Sequence, residues 1–399
     1  MRNVVIVDGT RTAFGKMGGT LRQFFPADLL GMSIKGLLEK TQLLERGGKV
    51  DSVLAGSALN DGHVYNFARY AALYAGLPYE TSAAYIEMQC GSAITSINYA
   101  ARLIATGDKD IIVAGGAESH SQAIARFSTS VEPYRMNPPK LIQPILSPIE
   151  GNNLSMLQIS DRMAKLWNVS REECDAFALR SQQRAAAAIN KGYFVEEIIP
   201  VEVPVKKGPN IKFDYDEHVR PDSTMEGLAK LRPVNEGGVT TAGNSSGMND
   251  GGACVLMMSE EKAKELGYTP IARWIDGTDV GVDPKIMGIG PAYSNAYVMK
   301  RNHLKISDID VYECNEAFAA QNLSVIKQME EMFGEKINQD NWNPNGGAIA
   351  FGHANGASGA RVGMFTMKEL QRRGGRYGLF SSCCGGGLGV SALIERYEK

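Results

Sequence analysis

The most constraining feature of the sequence is a weak repetition of its first half in its second half. Three short segments recur in the same order, at 6–10 and 274–278, at 51–56 and 310–315, and at 90–93 and 356–359. In the first pair, Ile-Val-Asp-Gly-Thr is echoed by Trp-Ile-Asp-Gly-Thr. Each match is weak by itself, but the shared order predicts two similar α/β halves that face each other.

Short apolar runs alternate with helical patterns within each half. We predict strands at 4–7, 53–55, 110–114 and 378–382, and helices at 29–40, 90–106 and from 356 onward. The run at 110–114 is rich in isoleucine and valine, as is typical of a strand that is buried on both faces. The alternation therefore favours an α/β fold with a largely buried sheet.

The length and one interruption of the pattern suggest the domain organisation. A chain of 399 residues suits two domains, or one duplicated fold with an insertion. The repetition is broken at about 119–248, where proline-rich stretches precede a capping box at Ser170 that starts a helix running to Lys191. We predict an N-terminal half at 1–270 that contains this inserted loop domain, and a C-terminal half at 271–399.

Charge and hydropathy exclude several broad classes of function. The 42 Lys and Arg nearly balance the 44 Asp and Glu, so the sequence gives no support for a nucleic-acid or membrane surface. No apolar stretch reaches the roughly 18 residues that a membrane helix needs. The N-terminal apolar run is too short for a signal peptide, and the C-terminus is not a peroxisomal address. A cytoplasmic enzyme is the expectation.

The six cysteines point to free thiols. None forms a C-x-x-C pair, so we do not expect a zinc cage. A disulfide framework is not expected in a long chain without a secretion signal. The thiols are therefore core residues or nucleophiles.

Cys90 lies in Gln-Cys-Gly-Ser, directly before a helical pattern. A thiol at a helix N-terminus feels the positive end of the helix dipole, which lowers its pKa. The alternative is a small buried residue at a tight turn.

His353 lies in a glycine-rich loop that leads into a helix, and only five histidines occur in the chain. A lone histidine is more often structural, but flanking glycines let a substrate approach closely. A phosphate-binding loop is a further interpretation, although the Gly-Lys-Ser/Thr of a P-loop is absent.

Two more motifs follow predicted strands. Cys383-Cys384-Gly-Gly-Gly could be a vicinal redox pair, but a cysteine acting as acid and base beside exposed backbone N–H groups is the better interpretation. Glu313-Cys-Asn-Glu-Ala-Phe places Asn315 at a strand-to-helix turn, where a helix cap is the plainer alternative.

Taken together, these motifs resemble the thiolase family (acetyl-CoA acetyltransferase and 3-ketoacyl-CoA thiolase) over nearly the whole chain. In chain order, they are Arg11-Thr-Ala-Phe-Gly, Cys90-Gly-Ser, Ala114-Gly-Gly-Ala-Glu-Ser, Ser170-Arg-Glu-Glu-Cys-Asp-Ala-Phe-Ala-Leu-Arg-Ser-Gln, Leu231-Arg-Pro, Thr241-Ala-Gly-Asn-Ser-Ser-Gly-Met-Asn-Asp-Gly, Met287-Gly-Ile-Gly-Pro, Asn315-Glu-Ala-Phe, Gly352-His and Cys383-x-Gly-Gly-Gly. The resemblance implies two similar α/β halves with mixed five-stranded sheets, in a layered α/β/α/β/α arrangement, plus an inserted loop domain. It also implies a homodimer or homotetramer.

The resemblance further implies an acyl-CoA C-acyltransferase with ping-pong chemistry. Such an enzyme condenses acetyl-CoA with an acyl-CoA, or cleaves a 3-ketoacyl-CoA with CoA. By resemblance, Cys90 carries the acyl group, His353 deprotonates it, and Cys383 removes the α-proton of acetyl-CoA. Asn315 holds a water in a first oxyanion hole beside His353, and the N–H groups of Cys90 and Gly385 form a second.

Coenzyme A is implied as substrate and product, with no permanently bound cofactor and no metal. It would lie against the inserted loop domain. By resemblance, Arg220 lies near the adenine–phosphate end, Ser246 and Met156 lie along the pantetheine, and Ala317 and Phe318 line the acyl-site wall. The plainer alternative for Arg220 is a solvated surface charge.

The sequence departs from the family around the acyl and pantetheine sites. Ser155 replaces a usual histidine of the loop domain, and Glu87 replaces a usual asparagine. Ala354 replaces the usual proline after the catalytic histidine and is followed by Asn355. The family's Gly-Leu-Arg after the nucleophile motif is Ala-Ile-Thr at 93–95 in this sequence. No catalytic group is lost, and all of these changes touch the walls around the acyl and pantetheine sites. We therefore predict a substrate preference different from that of a plain acetoacetyl-CoA thiolase. The alternatives are a decarboxylating condensing enzyme of the ketoacyl synthase type, and a catalytically altered lipid or acyl-CoA carrier or scaffold.

Overall fold

Strands and helices alternate along the chain in a computed structural model, which describes residues 1–59, 62–129, 134 and 138–398. The strands are β1 Val4–Thr12, β2 Gly15–Lys16, β3 Ser52–Gly56, β4 Ser82–Ile86, β5 Ile111–Ser119, β6 Ile198–Ile199, β7 Val201–Val203, β8 Ile211–Phe213, β9 Asn249–Ser259, β10 Ala272–Gly281, β11 Ile309–Cys314, β12 Tyr377–Cys384 and β13 Leu388–Arg396. The helices are α1 Pro26–Thr41, α2 Phe67–Tyr74, α3 Ser92–Thr106, α4 Met156–Leu166, α5 Arg171–Asn190, α6 Met225–Ala229, α7 Glu260–Glu265, α8 Gly290–Arg301, α9 Ala319–Phe333, α10 Ala348–Phe351 and α11 Asn355–Arg373. Every predicted strand and helix lies within, or overlaps, one of these elements.

The main strands follow the order β11-β12-β13-β10-β1-β9-β5-β3-β4 in one mixed sheet. An antiparallel pairing of β1 with β10 joins the two halves. The N-terminal half supplies five strands of this order and the C-terminal half four. The fifth strand expected in the C-terminal half is reduced to an isolated bridge between Tyr312 and Trp342 on the outer side of β11.

The predicted repetition appears as matched geometry around two aspartates. Asp8 in β1 and Asp276 in β10 each follow a register shift, and each accepts a hydrogen bond of 2.7 Å from the backbone N–H of the next residue. Each also binds a cation near the end of the helix that follows in its half. Lys40 of α1 lies 2.7 Å from Asp8, and Nε of Arg301 of α8 lies 2.6 Å from Asp276. The echo therefore marks equivalent positions.

The second echo marks a second equivalent pair of aspartates. Asp51 precedes β3 and accepts two backbone N–H bonds of 2.9 Å where β5 begins. Asp310 of β11 accepts two backbone N–H bonds, of 2.6 and 3.1 Å, where β12 begins. In both halves the aspartate thus fixes the start of a parallel neighbouring strand.

Helices α3 and α11 pack against each other at the centre of the fold, where glycines permit a close approach. A Cβ added at Gly359 of α11 would lie 2.7 Å from the backbone nitrogen of Ile94 in α3. A Cβ added at Gly116 of β5 would lie 2.3 Å from the carbonyl oxygen of Gly356. Side chains of both helices share one buried core with β1, β5, β9, β12 and β13. The N-termini of these two central helices carry the site described below.

The interruption at 119–248 forms helices α4, α5 and α6 and the small β7–β8 hairpin. The predicted capping box is present, because Ser170 accepts from the N–H of Glu173 while the Glu173 carboxylate accepts from the N–H of Ser170. Residues 130–133 and 135–137 of the predicted loop domain lie outside the described residues. The domain boundaries at 1–270 and 271–399 stay a prediction. No described helix is long and apolar enough to cross a membrane.

Candidate active site

Cys90 lies in a one-turn 3-10 helix, Gln89–Gly91, that runs directly into α3. Gln89 has a left-handed φ of 49°, and Glu87 supports it by accepting from its backbone N–H and from its side-chain amide, both at 2.7 Å. The hydroxyl of Ser92 donates to the Gln89 carbonyl at 2.6 Å and closes the turn. The thiol is therefore held in a defined position at the start of a central helix.

Burial, rather than the helix dipole, dominates the acidity of this thiol. The pKa of Cys90 is raised to about 12, first by burial and then by the negative charge of Glu118. A hydrogen bond of 3.3 Å from Asn355 to the sulfur acts in the opposite direction. The lowered pKa expected from the sequence is wrong, because the desolvation of a thiolate in this turn is the largest effect on the pKa of Cys90.

His353 lies between α10 and α11 and is almost fully buried. Gly352 precedes it with a φ of 87°, which a side chain would strain. The backbone N–H of His353 donates to the Gly247 carbonyl at 3.0 Å, which ties the loop to the inserted segment. The backbone of His353 is therefore held in one position.

The hydrogen bonds of His353 define its tautomer. Its Nδ1 lies 2.7 Å from the hydroxyl oxygen of Ser358, and that hydroxyl donates to the Ala354 carbonyl at 3.1 Å. Since a hydroxyl has a single proton, its oxygen accepts from Nδ1–H of His353. The lone pair is then on Nε2, which lies 3.3 Å from the side-chain nitrogen of Asn315. His353 therefore presents a basic Nε2.

Burial keeps this imidazole neutral. The pKa of His353 is lowered to about 3, chiefly by burial and further by the charges of His120 and Arg361. A neutral histidine at pH 7 is a proton acceptor.

Asn315 follows β11 and is fully buried. Phe318, not Asn315, occupies the cap position of α9, so the capping alternative is wrong. The side-chain oxygen of Asn315 has no hydrogen-bond partner within the described part of the chain. A buried acceptor without a partner is costly unless water or substrate satisfies it, and this one lies on the amide group that bonds to His353.

Cys383 is the penultimate residue of β12 and is fully buried. Its pKa is raised well above the ordinary value, by burial first and then by the nearby Cys90 thiol. Cys383 and Cys384 are both free thiols that pack in different cores, so the vicinal redox alternative has no support in the structure.

The turn after β12 contacts the turn that holds Cys90. Ser382 donates to the Cys90 carbonyl at 3.3 Å. A Cβ added at Gly385 would lie 3.4 Å from the side chain of Gln89. The structure thus brings Cys90, Cys383 and Gly385 together at one end of the central helices.

The residues predicted to contact coenzyme A lie in two places. Arg220 is exposed and lines a cavity of about 200 Å³ with Ser223, Thr224 and His218. Ser246 donates its backbone N–H to the Ala317 carbonyl at 3.0 Å, and Phe318 pairs with the neighbouring Ser245, so Ser246, Ala317 and Phe318 lie side by side.

Met156 opens α4, and Ser155 caps that helix by accepting from the N–H of Gln158. The serine at the position of the usual family histidine therefore has a structural role. Met156 itself is half-buried and packs against the core of the C-terminal half.

Four residues near these groups are not predicted as site residues by the sequence. Asn355 stands out only as a departure from the family, and His120, Ser358 and His218 do not stand out at all. Asn355 contacts the Cys90 sulfur, His120 contacts Asn355, and Ser358 contacts His353. No signal in one sequence marks such supporting contacts, because most of them join segments that are far apart in the chain. Within the described residues, no group of three His, Cys, Asp or Glu could hold a metal ion.

Comparisons with known proteins show the family and the fold of this chain. Residues 4–261 match the family model described as "Thiolase, N-terminal domain", and residues 268–396 match "Thiolase, C-terminal domain". The chain is 41% identical to the 3-oxoadipyl-CoA/3-oxo-5,6-dehydrosuberyl-CoA thiolase of Escherichia coli (strain K12), over 99% of this chain and 100% of that protein. It is 42% identical to an acetyl-CoA acetyltransferase of Chromobacterium violaceum, over 98% of this chain and 99% of that protein.

Two solved structures are also similar to this chain. The crystal structure of the Bacillus anthracis acetyl-CoA acetyltransferase superposes with a TM-score of 0.90 at 36% identity, covering 100% of this chain and 99% of that one. The human mitochondrial 3-ketoacyl-CoA thiolase in complex with CoA superposes with a TM-score of 0.89 at 36% identity, covering 99% and 98%.

Proposed function

This chain belongs to the thiolase family, and from that premise we propose that Cys90 is the nucleophile that carries the acyl group as a thioester. The protein is an acyl-CoA C-acyltransferase, with coenzyme A as substrate and product. One observation carries the proposal for Cys90. Cys383 lies near Cys90, and Asn355, two residues after His353, contacts the Cys90 sulfur. His353 in turn bonds to Asn315.

The first half-reaction needs a base and a nucleophile. Nε2 of His353 takes the proton of the Cys90 thiol, and the sulfur attacks the carbonyl carbon of the acyl-CoA. The bond between that carbon and the CoA sulfur breaks, and His353 returns its proton to the leaving CoA. The fixed Nδ1–H tautomer supports this role, because it leaves Nε2 unprotonated.

In the second half-reaction, Cys383 in its thiolate form removes the α-proton of acetyl-CoA and becomes a thiol. The resulting carbanion attacks the acyl carbon on Cys90, the carbon–sulfur bond to Cys90 breaks, and the proton on Cys383 passes to the released Cys90 thiolate. A water held by Asn315, together with His353, stabilises one oxyanion, and the N–H groups of Cys90 and Gly385 stabilise the other. A single such donor is worth about 3 kcal/mol. The same steps in reverse cleave a 3-ketoacyl-CoA.

Coenzyme A extends from the Arg220 cavity toward His353 along Ser246 and Met156, and Ala317 and Phe318 line the acyl-site wall. Arg220 is exposed beside Ser223 and Thr224, as suits a contact with the phosphates. The backbone bond between Ser246 and Ala317 joins the pantetheine contact to the acyl-site wall.

We further propose that the acyl group can be longer than acetyl, which favours an acetyl-CoA C-acyltransferase over a strict acetyl-CoA C-acetyltransferase. A cavity of about 470 Å³ adjoins the turn that holds Cys90. Gln89 and Glu87 line it on one side, and the apolar residues Ile124, Ile142 and Leu146 line it on another. The apolar part of this lining suits an acyl chain that is longer than acetyl.

Assembly and location are also proposals. We propose a homodimer or homotetramer, and one edge of β4 is open to another chain, since β4 ends the strand order of the described sheet. Sedimentation velocity would measure the mass in solution, and a monomer at micromolar concentration would contradict the proposal. The cytoplasmic location stays a prediction.

The test is thiolysis by the purified protein. Acetoacetyl-CoA, 3-ketohexanoyl-CoA, 3-ketooctanoyl-CoA and 3-oxoadipyl-CoA are each mixed with CoA, and loss of the enolate absorbance is followed. We expect turnover of the four-carbon substrate and of at least one longer substrate. A sharp preference for four carbons over all others would reject the proposal on chain length.

A Cys90→Ala variant tests the nucleophile. It should lose thiolysis of every substrate, whereas Cys174→Ala, which removes a buried thiol in α5, should keep it. Acyl-enzyme trapped by mass spectrometry in wild type should map to Cys90. Full activity in Cys90→Ala would overturn the mechanism without affecting the family assignment.

A further inference from the structure

The hydrogen bond that the structure gives to the Cys90 sulfur comes from Asn355. The side-chain nitrogen of Asn355 lies 3.3 Å from Sγ of Cys90. His353, two residues earlier, bonds instead to Ser358 and Asn315. Asn355 is the first residue of α11, and Cys90 lies two residues before the start of α3, so this bond links the starts of the two central helices.

The other end of the same amide contacts His120. Its Nε2 lies 2.9 Å from the side-chain oxygen of Asn355. An amide oxygen only accepts, so Nε2 of His120 carries a hydrogen and donates it. With the oxygen held in this way, the amide nitrogen faces the sulfur. The opposite orientation would place an oxygen lone pair against a thiolate, which is repulsive.

We propose that Asn355 stabilises the thiolate form of Cys90 through its side-chain N–H, and that His120 is a positioning residue that fixes the orientation of the Asn355 amide. The inference rests on the proposed nucleophilic role of Cys90.

The surroundings of Cys90 explain why such a donor is needed. Burial raises the pKa of Cys90 most, and the charges of Glu118 on β5 and Glu87 before the turn raise it further. Cys383 and Cys384 of β12 face the same sulfur and would repel it when ionised. Asn355 is the neutral side-chain donor that opposes these effects.

The donor acts in both half-reactions. When the Cys90 proton moves to His353, negative charge develops on the sulfur and strengthens the bond from Asn355. When the acyl group leaves, the electron pair of the carbon–sulfur bond returns to the Cys90 sulfur, and the same bond stabilises the leaving thiolate. A thioester sulfur is a weaker acceptor, so the interaction favours the transition states over the acyl-enzyme.

Alkylation of Cys90 by iodoacetamide as a function of pH tests the role of Asn355 without any acyl transfer. The rate is measured by peptide mass spectrometry in wild type, in Asn355→Leu, and in Asn190→Leu as a matched control at an exposed site in the last turn of α5. We expect Asn355→Leu to move the midpoint of the profile up by about one pH unit, which slows alkylation below the midpoint about tenfold. The pH profile of Asn190→Leu should be the same as that of the wild type. If the profile of Asn355→Leu is also the same as that of the wild type, then the proposal is overturned.

An Asn355→Asp variant keeps the test decisive if the leucine variant folds poorly. Asp has the same shape, and an acidic side chain in the first turn favours a helix. Its carboxylate would face the sulfur, so the alkylation midpoint should rise by more than in Asn355→Leu. An unchanged midpoint would contradict the contact itself.

A double-mutant comparison tests His120. His120→Leu alone should move the midpoint about half as far as Asn355→Leu, because the amide can then rotate. In the Asn355→Leu background it should change nothing further, since the positioning acts through the amide. An equal shift in both backgrounds would overturn the positioning role.

The outcome is separable from that of the proposed function. If Cys90→Ala keeps its thiolysis, then the nucleophile assignment fails, whatever the alkylation profiles show. If Cys90→Ala is inactive but Asn355→Leu leaves both the profile and kcat unchanged, then only the role of Asn355 fails.

Discussion

His353 places its Nδ1 2.7 Å from the hydroxyl oxygen of Ser358, one turn further along the chain. That oxygen can accept because its own proton goes to the Ala354 carbonyl. The bond fixes both the tautomer and the plane of the imidazole. Ser358 therefore determines which nitrogen of His353 faces Asn315.

Replacing Ser358 with alanine should lower kcat about 10- to 100-fold, or about 1.5–3 kcal/mol, because the imidazole loses the acceptor that fixes it. KM for CoA should change little. Ser324→Ala is a matched control, because Ser324 is equally buried and makes the same kind of bond, to the carbonyl of Ala320, within α9. An equal loss of kcat in both variants would mean that the Ser358 effect is one of general stability.

Replacing Asn315 with alanine should lower kcat about 100-fold, because the water that stabilises the oxyanion loses its holder. Asn315→Asp should be equally slow, and should also raise the pKa of His353 from about 3, since a carboxylate beside the imidazole favours its charged form. NMR titration of the histidine checks the second effect. A normal kcat in Asn315→Ala would exclude the proposed first oxyanion hole.

Much of the fold can be predicted from the sequence because its signals are local. The capping box at Ser170 and the apolar run that forms β5 depend only on neighbouring residues. The repetition alone places Asp8 and Asp276 in equivalent positions, and their matched hydrogen bonds confirm it. The thiolase assignment is confirmed over both halves, and the carrier or scaffold alternative has no support from relatives that are named as enzymes.

The rest of the site depends on contacts that the sequence cannot encode locally. The helix dipole predicts the wrong direction for the pKa of Cys90, because burial by distant segments and the charge of Glu118 outweigh it. Asn355 and His120 are separated by 235 residues, and only the fold brings them together. Their roles are therefore invisible in the sequence, although Asn355 is visible as a departure from the family.

The two aspartates that fix parallel strands should be equally important in the two halves. Asp51→Ala and Asp310→Ala should each lower the free energy of unfolding by about 2 kcal/mol, because two backbone N–H groups lose their acceptor. Urea unfolding measures the change. Asp214→Ala, at an exposed ion pair with Lys212, is the control and should cost less than about 1 kcal/mol. A large loss of stability for only one of the two variants would show that the two aspartates do not contribute equally to stability.

The stability of the protein should fall as the pH drops from about 6.5 toward 4, in part because of His218. Burial, with Arg220 and Lys16 nearby, lowers the pKa of His218 from 6.5 to about 4. The unfolded chain then binds more protons than the folded chain in this window, so stability is lost as the pH falls. His218→Asn should lessen the loss by roughly 1–3 kcal/mol. Thermal unfolding at each pH measures the stability, and the exposed-site control His303→Asn should lose as much stability as the wild type. If the wild type and both variants show the same pH dependence of stability, then His218 is excluded as the source.

Arg220 should act on the phosphates of coenzyme A and on nothing nearer the reaction. Arg220→Ala should raise KM for CoA about 5- to 20-fold, or about 1–2 kcal/mol, with little change in kcat, because the lost interaction is made equally in the ground and transition states. Pantetheine, which lacks the nucleotide phosphates, supplies the matched substrate control. With pantetheine as the thiol, Arg220→Ala and wild type should have the same KM. A KM for pantetheine that rises as much as the KM for CoA would mean that Arg220 shapes the cavity rather than binding phosphate.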